Sequence, residues 1–178
     1  MRTVAWIVVL GLGLGVSAYA AGDSTSSEFT LPSGVTIRIV EGPFNPAKHK
    51  IKGCTEVAGT DGCLIDGRFV FGSADELPKT YVKSITATFG GRSYSLDVSQ
   101  MYNAWGGRPL EVKGVIRYFG GSCSDTMNCT LRGLFSDAAG SYVAEWQIAN
   151  GISARTILTW SGDIVSEFIT NIDPPVYE

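Results

Sequence analysis

The segment from Ser141 to Trp160, SYVAEWQIANGISARTILTW, constrains the fold more than any other stretch, because both of its arms alternate apolar and polar residues about a small turn. A period of two belongs to a half-buried strand. In the first arm Tyr142, Ala144, Trp146 and Ile148 share one side, and Val143, Glu145 and Gln147 share the other. The loop length then sets the pairing. A two-residue loop at Asn150-Gly151 would place Trp146 against Arg155 and Ala144 against Ile157, mixing polar and apolar partners. A three-residue loop, Ala149-Asn150-Gly151 with Gly151 left-handed, places Ile148 against Ile152, Trp146 against Ala154, Tyr142 against Leu158 and Glu145 against Arg155. The matched apolar face makes the longer loop the expected one.

Two further hairpins are expected. Tyr81 to Asp97 turns at Gly90-Gly91, a pair that tolerates the positive φ of a primed turn, which sets Ala87 opposite Tyr94 and Ile85 opposite Leu96. Leu110 to Phe119 and Thr130 to Phe135 form the arms of the third, with Gly120 to Cys129 as its tip. Val35 to Val40 alternates cleanly and reads as a first strand, ended by Pro43 and Pro46. Leu64 to Phe71 reads as a second, bent at Asp66-Gly67. Asp97 is placed to cap one helical turn through Met101, Tyr102 and Trp105. The one clear helix spans Asp163 to Ile172, with Asp163 as N-cap and Ile164, Phe168 and Ile172 on its apolar face. The expected fold is therefore mainly β: a single antiparallel domain over residues 35–178, sandwich or barrel, of about seven or eight short strands built from hairpins and a C-terminal α-helix. Residues 21–34, rich in Ser and Thr, are expected as a flexible tether.

Residues 1–20 have the pattern of a secretory signal peptide: Arg2, an apolar run from Val4 to Val16, and small residues ending at Ala20. The run is shorter than the about 20 residues needed to span a bilayer, so the mature chain is expected to have no transmembrane segment and to be periplasmic or secreted. Four cysteines in an oxidising compartment suggest two disulfides. Cys54 with Cys63 and Cys123 with Cys129 would each close a short Gly- or Asp-containing loop, contributing roughly 2.5 kcal/mol apiece by loop entropy. No C-x-x-C spacing supports a zinc site, and no metal or cofactor is expected. The net charge of −3, with scattered basic residues, argues against a nucleic-acid partner.

Catalytic patterns are weak. His49, the one histidine, lies between lysines that would oppose an imidazolium, and reads as a solvated surface residue. No G-x-S-x-G or S-x-x-K arrangement activates a serine, and bridged cysteines supply no thiolate. Calcium ligation by Asp61, Asp66 or Asp125 yields to their reading as turn residues. A carboxylate pair drawn from Asp97, Glu111, Glu145, Asp163 and Glu167 is the enzyme alternative, a periplasmic hydrolase of cell-wall glycan. Met101, Tyr102, Trp105 and Arg108, in a glycine-punctuated stretch, are instead the candidate anchors of a partner-binding surface. The expectation is a non-catalytic exported binding protein, most concretely an inhibitor or immunity protein. It would occupy the cleft of a toxin or lytic enzyme with the Met101 to Arg108 stretch or the Cys123 to Cys129 tip. An envelope scaffold subunit is the third possibility.

Overall fold

The structure is a computed structural model that describes residues 24–54, 63–73, 76–104, 116–136 and 140–175. Eight strands form two four-stranded antiparallel sheets. The first sheet has the order β1-β2-β6-β7, from β1 (Thr25–Thr30), β2 (Thr36–Pro43), β6 (Thr80–Phe89) and β7 (Arg92–Leu96). The second runs β11-β10-β9-β8, from β8 (Phe119–Cys123), β9 (Cys129–Phe135), β10 (Tyr142–Ala149) and β11 (Ile152–Thr159). A small antiparallel sheet of β3 (Ile51–Lys52), β4 (Leu64–Ile65) and β5 (Arg68–Phe69) lies between β2 and β6 in sequence. The alternation read from the sequence has its cause here. Ile37, Ile39, Ile85, Ala87 and Leu96 from one sheet and Leu131, Phe135, Tyr142, Ala144, Trp146 and Ile148 from the other fill one continuous core. The two main sheets thus form a sandwich.

The Gly90-Gly91 hairpin has the expected register, Ala87 opposite Tyr94 and Ile85 opposite Leu96, and both glycines take positive φ. The hairpin of β10 and β11 corrects the sequence reading. Asn150 and Gly151, at φ 52° and 79°, make the two-residue primed turn, so Ala149 faces Ile152 and Trp146 faces Arg155. A bulge then inserts Thr156, and from Glu145 opposite Ile157 onward the ladder is rephased, with Ala144 opposite Leu158. The polar and apolar mixing that disfavoured this register is resolved because Arg155 reaches over Trp146 to the loop after β7. It donates to the carbonyl of Ser99 at 2.6 Å and pairs with Asp97 at 3.2 Å. Glu145 pairs across to Arg132 of β9 at 2.8 Å, not to Arg155.

Other boundaries move for identifiable reasons. Residues 25–30, expected in a tether, form β1, which pairs along β2 and buries Phe29; a Leu31-to-Gly34 turn joins them, with Gly34 at φ 83°. Leu64 to Phe69 is a tight hairpin, not a bent strand, because Asp66 and Gly67 both take positive φ. Of the expected first arm of the third hairpin, residues 110–115 lie outside the described residues and Ile116–Tyr118 form a single 3-10 turn. Gly120 and Gly121, expected in the tip, lie within β8, and a Cβ on Gly120 would overlap the carbonyl of Ile172 where the C-terminal segment crosses. No helical turn follows Asp97 among the described residues; its carboxylate accepts from Ser99 N, and Met101 and Tyr102 form single bridges to Phe71 and Tyr81. Helix α1 spans Gly162–Thr170 with Ser161 as N-cap, so Asp163 lies inside its first turn. Only Phe168 of its apolar residues is buried, under the guanidinium of Arg132 at 4.7 Å. Both disulfides have the expected pairing. The two disulfides accord with an oxidising compartment, and no helix among the described residues is long and apolar enough to cross a membrane.

Candidate functional site

The sandwich has two unlike ends. At one, three turns meet: Gly90-Gly91, Ser124 to Asn128, and Asn150-Gly151. The middle turn begins at the Cys123–Cys129 bridge, which joins directly paired residues of β8 and β9. Its backbone is held from within and from both sides. Asp125 accepts from Met127 N and from the Asn128 side chain, each at 2.7 Å. Tyr94 donates its hydroxyl to the Thr126 carbonyl at 2.8 Å, and Gly151 N donates to the Met127 carbonyl at 2.9 Å. Asn150 N donates to the Asn128 side chain at 2.9 Å. Gly90 has no Cβ where one would press into Thr126, which lets the first turn sit against the second. The Met127 amide first, and then the Asn128 side chain, hold the Asp125 carboxyl below the usual carboxylate range. Met127 and Ile152 stand exposed on this scaffold, Ile152 at 73%. A 180 Å³ groove lined by Ser122, Ser124, Asn128, Thr130, Gln147 and Pro175 runs beside it.

The opposite end carries the small sheet and the Met101–Tyr102 stretch. Met101, expected as a surface anchor, is 1% exposed and belongs to the core, where its carbonyl accepts from Val82 N. Tyr102 is half-buried; its ring meets Phe44 edge-on and its carbonyl accepts from the Tyr142 hydroxyl. Trp105 and Arg108 lie outside the described residues, as do Asp61 and Glu111. His49 is not simply solvated: its Nδ1 lies 2.8 Å from Asp66 and its ring stacks on Phe44. That bond, with the Lys50 amide, holds the Asp66 carboxyl low. Tyr102 lines a 330 Å³ concavity with Ile65, Asp66, Arg68, Phe69 and Gln100.

Three of the five carboxylates named for hydrolysis are engaged separately, and Asp163 lies in the first turn of α1. Glu145 is salt-bridged to Arg132 and Asp97 to Arg155, while Glu167 accepts from the Asn171 side chain. Burial would raise Asp97, but the Ser99 hydrogen bonds and the Arg155 charge outweigh it and leave the carboxyl low. No group of three or more His, Cys, Asp or Glu side chains among the described residues is arranged to hold a metal ion.

One buried carboxyl escaped the sequence reading. Glu41 continues the inward row of Ile37 and Ile39 and is 4% exposed; it accepts from the Thr80 hydroxyl at 3.1 Å and from Ala104 N at 3.3 Å. Burial raises its pKa, against the lowering effect of those two bonds. A raised folded value means that the native state binds the proton more tightly than the unfolded chain, so Glu41 subtracts stability as pH rises from its unfolded value through its folded one. Glu41→Gln keeps an acceptor for both donors and removes the charge. Its melting temperature is expected to exceed that of the parent at pH 7, with the difference shrinking as pH falls toward the ordinary carboxylate range. A lower melting temperature at pH 7 would show that the charge is compensated.

No protein-family model, curated protein or solved structure matches this chain.

Proposed function

We propose that this chain is an exported, non-catalytic binding protein that inhibits a toxin or lytic enzyme by presenting its disulfide-clamped end to the enzyme's cleft. The observation that carries this reading is the interlocking of three turns around Ser124 to Asn128, which fixes an exposed loop before any partner arrives. Ordering a loop on binding costs about 0.5–1.5 kcal/mol for each rotamer-rich side chain, and a loop already held avoids much of that cost. Met127 of this loop and Ile152, next to the Gly151 that bonds the Met127 carbonyl, supply exposed apolar surface of the kind that fills a pocket at the centre of an interface. The Asp125 carboxylate shapes the loop from within.

Affinity capture from bacterial envelope extract with the full chain tests the reading. A one-to-one complex with a lytic enzyme whose activity falls on binding is the expected result. Met127→Asp, at an exposed position, should weaken that complex at least about tenfold while leaving the melting temperature near that of the parent, since a charge would then enter the desolvated centre. Turnover of glycan by the chain alone, or inhibition unchanged by Met127→Asp, would overturn the proposal.

A further inference from the structure

The opposite end of the sandwich is concave and chemically different. Its 330 Å³ concavity falls in the size range of small-ligand sites, and its lining combines an aromatic wall with groups that form hydrogen bonds in a plane. Phe69 is 53% exposed, and its ring meets that of Trp160, also 53% exposed, at 6.1 Å and 88°. Phe71 backs Trp160 at 4.7 Å, so the indole is held while half of its surface stays open. Two large aromatics this open, on a strand and at a strand end, are not serving the core.

The polar side is equally fixed. Gln100 sits in the left-handed region at φ 67°, a conformation a glutamine rarely adopts. In that position its side-chain NH2 donates to the Phe69 carbonyl at 3.1 Å, which points the amide oxygen away from that bond. Its own carbonyl accepts from Phe71 N at 3.0 Å, so the unusual backbone is locked to the aromatic segment. Asp66, at φ 53° in its turn, is oriented by His49 and by Lys50 N, and the Arg68 side chain beside it is exposed. A carboxylate that accepts, a guanidinium that donates and an amide that accepts therefore border one aromatic face.

We infer that this concavity binds a neutral oligosaccharide, with Phe69 of its lining and the Trp160 ring that adjoins Phe69 outside that lining against the C–H faces of the sugar rings, and Asp66, Arg68 and Gln100 holding their hydroxyls. A sugar ring has an apolar C–H face and an edge of paired hydroxyls, each both donor and acceptor. Exposed aromatic rings match the first, and planar side chains able to make paired hydrogen bonds match the second. The concavity lies away from the clamped loop, so this inference stands or falls independently of enzyme inhibition.

The test is a titration of the purified chain with the β-1,4-linked tetramer of N-acetylglucosamine, cellotetraose and maltotetraose, read by amide and indole chemical shifts. At least one sugar is expected to give saturable shifts at residues 65–69, at 100–102 and at the Trp160 indole. Trp160→Ala should weaken that binding about tenfold or more, and Gln100→Ala several-fold, with melting temperatures near that of the parent. Met127→Asp should leave it unchanged. The inference is overturned if no sugar saturates these signals up to about 10 mM, or if Trp160→Ala binds as the parent does. It is equally overturned if a casein hydrolysate saturates them and the sugars do not.

Discussion

Trp146→Ala is expected to destabilise the protein by about 4 kcal/mol, lowering the melting temperature on the order of 10 °C. Trp146 is 1% exposed, and its ring meets Phe135 edge-on in the middle of the sandwich. Removing it leaves a cavity between two sheets whose backbones are fixed by their own ladders and cannot close the gap. A second loss adds to the first. The indole donates to the Asp97 carbonyl at 2.8 Å, tying β10 to the loop after β7, and the other contact to that oxygen, from Arg155, is longer at 3.5 Å. Trp146→Phe separates the two contributions, because it keeps most of the volume and drops the hydrogen bond; it should cost about 1–2 kcal/mol. Urea unfolding of the three proteins measures both steps. A loss below about 2 kcal/mol for the alanine variant would mean that the sheets move together to fill the space.

The next largest effect belongs to the Cys123–Cys129 bridge. Cys123→Ala with Cys129→Ala is expected to lower stability by roughly 2.5 kcal/mol through the freed unfolded chain. It should also speed amide exchange in β8, whose ladder with β9 begins at that pair. The Ser124 to Asn128 turn should keep its shape in the native state, since the Asp125, Tyr94 and Gly151 bonds do not depend on the sulfurs. Unchanged shifts for Met127 in the double variant, alongside the lower unfolding midpoint, are the expected combination. Collapse of the turn would show that the bridge alone holds it.

Legibility in the sequence varied with how local the determining physics was. The β6–β7 hairpin could be read because both turn positions are glycine and the arms alternate without interruption. The β10–β11 register could not, because the bulge at Thr156 rephases an arm whose alternation is weak, and because Arg155 turns inward to partners nearly sixty residues earlier. β1 was hidden by its composition: Ser27 and Phe29 form its buried side among serines and threonines that resemble a tether. Met101 shows the same limit at a candidate site. Glycines around it marked an irregular stretch, but only the bridge to Phe71 and the bond from Val82 decide that its side chain points inward. The clamped loop was visible as a cysteine-bounded tip, whereas the support it receives from two other turns comes from contacts distant in sequence.

The inserted Thr156 has one more effect. Among the described residues strand β11 is the last of its sheet, and an outer strand presents backbone donors and acceptors that another polypeptide could extend. At the kink, Thr156 folds its hydroxyl back onto the Glu145 side chain at 3.0 Å, and the ladder steps out of phase. An incoming strand would meet two short, misaligned segments in place of one straight template. The border of the sheet thereby discourages fibre-like growth through that edge.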